Sequence, residues 1–87
     1  DEAYLAALDR ALAAIVAFRP AALVVSAGLD ASSSDPVQTF RVTNDGFGEI
    51  ARRIDSLRLP TLLVQEGGYL SAGLGACLGA FLGGFRR

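Results

Sequence analysis

Two side chains of this sequence are placed to do chemistry, and glycine precedes both. Asp30 comes three residues after the apolar run Ala22-Leu23-Val24-Val25-Ser26-Ala27, with Gly28 between them. Tyr69 comes four residues after the run Thr61-Leu62-Leu63-Val64-Gln65, directly behind Gly67-Gly68. Glycine accepts positive φ and lets backbone approach a ligand closely, so it suits a sharp turn that aims one polar side chain. A carboxylate can ligate a metal ion, and a phenol can donate a hydrogen bond to a developing oxyanion. The pair is not self-sufficient, because a catalytic zinc takes three protein ligands plus water. Position alone also fits plainer roles: Asp30 as a turn former or helix cap, and Tyr69 packed on a sheet edge.

Other residue types narrow the chemistry. The chain has no His, and its eight basic residues are all Arg. This removes an in-chain His base, a His–Cys zinc finger, a P-loop lysine and a Schiff base. A single Cys makes no internal disulfide. Cys77, in an apolar run, reads as a small core residue. Glu66, Arg41, Arg52 and Arg53 read as solvated, and Asp35-Pro36 as a turn. The net charge of −1 comes without a basic cluster, which argues against nucleic-acid binding.

The elements that position Asp30 and Tyr69 follow from periodicity. Leu5, Leu8, Leu12 and Ile15 form one helical face within an Ala-rich stretch from Asp1 to Arg19, ended by Pro20. The continuous apolar run 22–27 suits a parallel strand covered on both faces. Residues 28–42 make a long connection, of a length that is usually functional or disordered. Thr43 or Asn44 caps a second helix, with Phe47, Ile50, Ile54 and Leu57 on its stripe. Thr61–Gln65 is the second strand. Leu70 to Phe85 is uncharged and helical in pattern, with Leu70, Leu74, Leu78 and Leu82 as the expected buried row.

Strand, helix, strand with short apolar strands predicts an α/β fold with a right-handed parallel crossover. In such sheets ligands bind beyond the carboxyl ends of the strands. Adjacent parallel strands lie about 4.8 Å apart, so the acid and the phenol are expected on one rim. Eighty-seven residues bury only a marginal core, and two strands do not make a stable sheet. With 52% hydrophobic residues and a mean hydropathy of +0.41, the chain is expected to turn apolar surface toward something else. That partner is the rest of a larger domain, another subunit or lipid.

Together these motifs resemble a known family. Val24-Val25-Ser26-Ala27-Gly28-Leu29-Asp30, then Asp35-Pro36, then Phe40-Arg41-Val42-Thr43, are similar to the zinc-dependent deacetylases. That family comprises the histone deacetylases and acetylpolyamine amidohydrolases. Pro60-Thr61-Leu62-Leu63-Val64-Gln65-Glu66-Gly67-Gly68-Tyr69 resembles its strand and glycine turn ending in a catalytic tyrosine. Phe40 to Asp45 and Leu59-Pro60-Thr61-Leu62 look most like the bacterial acetylpolyamine branch.

The resemblance implies an arginase/deacetylase-like three-layer α/β/α fold, with residues 1–87 as the carboxyl-terminal fragment of a single domain. It implies Asp30 as a zinc ligand, Tyr69 as the catalytic residue that polarises the amide carbonyl, Gly67 and Gly68 as lining of the acyl channel, and Val37 on the tunnel wall. The substrate would be an acetylated small-molecule amine or acetyl-lysine, attacked by zinc-bound water with paired histidines handling protons. The other zinc ligands and those histidines are missing from this sequence. Ala31 stands where the polyamine branch usually has Thr, and Ser32–Ser34 replace a bulkier stretch. The fragment alone is therefore expected to be inactive and to hold zinc weakly. A parent homodimer is expected, as is a cytoplasmic location, since Asp1-Glu2-Ala3-Tyr4 resembles no leader.

Two rival readings come from other classes. Residues 67–85 carry no charge over nineteen positions, enough to cross a bilayer, and Gly75, Gly79 and Gly83 keep helix-pairing spacing. A non-catalytic α/β binding module is the second rival, although no G-x-G-x-x-G follows the first strand.

Overall fold

A computed structural model describes residues 1–33, 40–68 and 72–85. Helix α1 spans Glu2–Phe18, strand β1 Leu23–Gly28, helix α2 Asn44–Asp55, strand β2 Thr61–Glu66 and helix α3 Leu74–Gly83. A 3-10 turn, Leu29–Ala31, follows β1 directly. β1 and β2 pair in parallel, in register from Leu23 with Thr61 to Gly28 with Glu66. The Leu23 amide donates to the Pro60 carbonyl at 2.8 Å, which aligns the two strand starts.

Each helix ends for a local reason. α1 stops two residues before Pro20. Arg19 leaves it through the left-handed region, at φ 59 and ψ 55, instead of the extended conformation usual before proline. α2 begins at Thr43, whose hydroxyl accepts the Gly46 amide at 3.0 Å. The Asp1 carboxylate adds to this cap: it accepts the Thr43 amide at 2.8 Å and the Thr43 hydroxyl. Asp1 thus joins Asp45, in the first turn of α2, at the positive end of that helix dipole. α2 ends at Asp55, ahead of Pro60, in a turn that puts Arg58 at φ 54.

The core lies between α2, α3 and one face of the sheet. Phe47, Ile50 and Ile54 of α2 are buried, as the spacing predicts; Ala51 is buried beside them, while Leu57 lies past the helix end and is half-buried. α1 buries only Leu12, with Leu5, Leu8 and Ile15 packed at the core's margin. Arg53 ties α1 to α2 by reaching Asp9 at 2.8 Å and Glu49 at 3.1 Å, and Arg52 reaches Glu49 at 2.8 Å. Arg52 and Arg53 are therefore ion-paired as well as solvated.

Two expectations change, and one surface stays open. Leu70 of the leucine row lies outside the described residues; Leu74 and Leu78 are half-buried at the core's margin and Leu82 is 49% exposed, while Cys77 and Phe81 are the buried residues of α3. A helix of Leu, Ala and Gly on every side leaves its inward face to tertiary fit. Phe81 decides it by packing edge-to-face on Phe47, ring centroids 6.3 Å apart. Nor does the Gly75/Gly79/Gly83 row pack a helix: a Cβ at any of the three would meet nothing within 4 Å. α2 and α3 approach instead through Gly84, where a Cβ would run into Ala51 Cβ and the Gly48 carbonyl. Among the described residues, the sheet is covered on one face only, which leaves apolar surface over, as the composition predicts. Val25 and Ala27 turn toward the core, while Val24 is 70% and Leu62 60% exposed on the other side. Among the described residues no helix is long and apolar enough to cross a membrane.

Candidate active site

The 3-10 turn after β1 carries Asp30, and the glycine turn after β2 lies beside it. Gly28 and Glu66 are register partners, so both turns leave the sheet at the same level. Leu29, 1% exposed, anchors the first turn in the core and leaves Asp30 at the surface. Gly67 and Gly68 both take positive φ, 69° and 88°, in the second turn.

At Gly67 and Gly68 the positive φ favours glycine, and a Cβ there would also crowd a neighbour. A Cβ at Gly67 would lie 2.8 Å from both Cγ and Oδ1 of Asp30 and 3.2 Å from Oδ2. A Cβ at Gly28 would lie 3.0 Å from Asp30 Oδ1. The carboxylate therefore sits in a cradle of two glycines, one from each strand end. A Cβ at Gly68 would lie 2.9 Å from Leu29 Cβ and 3.1 Å from Leu74 Cδ1, so this turn is pressed onto the first.

The long connection is pinned at both ends. Ser33 donates to the Val42 carbonyl and Val42 to the Ala31 carbonyl, each at 2.9 Å. Beneath it, Cys77 of α3 is fully buried; burial pushes its thiol up, while a hydrogen bond with Ser32 works the other way.

The structure thus brings together Asp30, Gly67 and Gly68. Tyr69 and Val37 lie outside the described residues. Glu66 is exposed at the strand end. Leu29, which seats the turn, was not singled out from sequence; an apolar residue between Gly28 and Asp30 was the available signal.

A metal ion can be tested against these residues. Among the described residues no group of three or more His, Cys, Asp or Glu side chains could hold one. Asp30 offers one carboxylate where a catalytic zinc takes three protein ligands. These residues therefore do not fit a complete zinc site, although Asp30 suits a single place in one.

Comparison with known proteins agrees with the sequence motifs. The histone deacetylase domain model matches residues 1–85. The acetylpolyamine amidohydrolase of Burkholderia pseudomallei (strain 1710b) is 45% identical over 85 residues, covering 98% of this chain and 25% of that protein. Histone deacetylase 8 of Xenopus laevis is 36% identical over 52 residues, 60% of this chain and 14% of that protein. A crystal structure of the acetylpolyamine aminohydrolase from Burkholderia pseudomallei superposes with a TM-score of 0.91, at 45% identity, over 97% of this chain and 25% of that one. The chain spans about a quarter of the length of these amidohydrolase relatives.

Proposed function

From the histone deacetylase family, to which this chain belongs, we propose that it supplies one corner of an active site that hydrolyses the acetyl amide of an acetylated amine. Two relatives, 45% and 41% identical, are named acetylpolyamine amidohydrolases, and an acetylated polyamine is the substrate class this reading favours. One observation carries the proposal. The Asp30 carboxylate and the Gly67-Gly68 turn are in contact at the carboxyl ends of neighbouring parallel strands, where α/β sheets bind ligands.

Each residue then has a distinct task. Asp30 is one protein ligand of a zinc ion whose other ligands come from outside this chain. Tyr69 follows the glycine turn immediately, and its hydroxyl donates a hydrogen bond to the amide carbonyl oxygen as negative charge builds there. Gly67 and Gly68 present bare backbone to the acyl group, and Val37 borders the substrate. Residues 1–87 act as the carboxyl-terminal part of one deacetylase domain; alone they are inactive and hold zinc weakly. The same reading has a homodimeric parent in the cytoplasm, acting on small acetylated amines and not on nucleic acid or membrane. The small net charge and lack of a basic cluster support the substrate side of it.

A chimera tests this. The matching quarter of the Burkholderia pseudomallei amidohydrolase is replaced by this chain, and zinc content and acetylpolyamine hydrolysis are measured. The chimera is expected to hold zinc and turn over. Asp30→Asn should lose zinc. Tyr69→Phe should keep zinc and substrate binding while kcat falls about 10²–10³-fold. Unchanged turnover in Tyr69→Phe removes the phenol from the mechanism. Appreciable turnover by the isolated chain with added zinc removes the claim that it is inactive alone.

A further inference from the structure

The start of α2 is capped by two helices at once. In a capping box the N-cap Ser or Thr accepts the amide of the third helical residue, and a Glu or Gln at that third position reaches back to the N-cap amide. Thr43 plays the first part, its hydroxyl accepting the Gly46 amide. The third position is Gly46 itself, which has no side chain for the second part. Asp1, at the head of α1, plays it instead. Its carboxylate accepts the Thr43 amide at 2.8 Å and the Thr43 hydroxyl. A Cβ at Gly46 would lie 2.7 Å from both Cγ and Oδ2 of Asp1, so this carboxylate fills the room a local Glu would need. One helical turn along, Tyr4 packs edge-to-face on Phe40, ring centroids 5.9 Å apart. Both contacts of α1 fall on the limb that returns from the long connection. Beside Asp30 that limb is bonded to the outgoing one, through Val42, Ala31 and Ser33.

We infer that Asp1 and Tyr4 are positioning residues: the first turn of α1 tethers the returning limb, residues 40–43, and so sets the substrate side of the connection. The inference rests on the proposed function for the substrate, which Val37, three residues before Phe40, borders in that reading. Two observations separate a tether from a plain cap. A Glu at position 46 would satisfy the Thr43 amide from within α2, whereas a carboxylate 42 residues away makes the same bond a link between α1 and the limb. The ring contact of Tyr4 with Phe40 reaches the same limb and serves no helix end. Asp30 keeps a seat of its own, on Gly28, Gly67 and the buried Leu29. The two ends of the connection are therefore held separately, and loosening the α1 end spares the carboxylate.

The test restores the cap without the tether, in the covalent chimera with the Burkholderia pseudomallei amidohydrolase. Asp1→Ala should raise KM for an acetylated polyamine about fivefold, with kcat and zinc content within about twofold of the unsubstituted chimera. It should also speed amide exchange at Ser33 and Val42 about tenfold, leaving β1 protected. Asp1→Ala/Gly46→Glu places a complete capping box within α2. It should recover the urea midpoint lost in Asp1→Ala, while KM and the exchange at Ser33 and Val42 stay raised. Glu2→Gln, on the same turn, should change none of these. Tyr4→Leu removes the ring contact alone and should move KM and exchange in the same direction, which decides the matter if Asp1→Ala does not fold. Unchanged KM or unchanged exchange in Asp1→Ala overturns the inference, as does full recovery of KM by Gly46→Glu, which would make Asp1 a cap only. An inert chimera whose exchange responds to Asp1→Ala keeps the tether and sinks the hydrolase reading. An active chimera indifferent to Asp1 does the reverse.

Discussion

The Asp30 carboxylate fills the space into which a side chain at Gly67 would project, 2.8 Å from where its Cβ would stand. The position of this acid is therefore set from the neighbouring strand, across the sheet, as much as by its own turn.

Gly67→Ala tests that relationship. The new methyl group displaces the carboxylate, and φ 69 is unfavourable for Ala by about 1–2 kcal/mol. Chemical denaturation of the covalent chimera should show a loss of that size. In the covalent chimera, zinc affinity should fall while Asp30 itself is unchanged. Full zinc affinity in Gly67→Ala would mean that the two turns do not constrain each other.

The α2–α3 contact makes a second prediction. Ala51 is 0% exposed and lies against Gly84 together with the Gly48 carbonyl. Gly84→Ala should cost about 1–3 kcal/mol by overpacking, visible as a lower urea midpoint with an unchanged slope. Gly79→Ala, whose Cβ would meet nothing within 4 Å, should be neutral or stabilising, since Ala is the better helix former.

Cys77 sets an alkaline limit. Burial raises its thiol above the ordinary value, and the Ser32 hydrogen bond offsets only part of this. A pKa raised by folding stabilises below the unfolded value of about 8.5, and that contribution is lost as pH rises through the raised folded value. Cys77→Ala should therefore flatten the decline in stability between neutral pH and pH about 9.5. Thiol reagents should react with the native chain far more slowly than with the unfolded one.

Glu49 sets an acid one. Hydrogen bonds from Arg52, then Arg53, hold its carboxyl below the ordinary carboxylate value. A pKa lowered by folding stabilises above the unfolded value of about 4.3, and the benefit disappears as pH falls through the lowered folded value. Glu49→Gln should reduce stability at pH 7 and leave it unchanged at low pH. The difference should shrink in high salt, because the pairs are exposed and screened.

Much of this was legible from residue order. The 47/50/54 stripe of α2 was visible because Asn44, Asp45, Glu49, Arg52 and Arg53 make the rest of the helix polar enough for contrast. Asp30, Gly67 and Gly68 could be singled out because glycines mark where each apolar strand ends. The buried face of α3 was not legible, since Leu, Ala and Gly surround the helix and periodicity carries no contrast there. Tyr69 and Val37 rest on their neighbours in sequence.

What residue order determined by itself was the kind of local structure and the order of its parts: two short parallel strands, a crossover helix, and turns that had to be glycine. These are properties of a few adjacent residues. What only the tertiary structure decided was which surfaces meet: the carboxylate of Asp30 seated on Gly67, Phe81 on Phe47, Gly84 on Ala51, and a sheet covered on one side. Such contacts join residues tens of positions apart, and they depend on whole side chains fitting at distances of a few ångströms. Neither hydrophobic period nor turn chemistry encodes that fit.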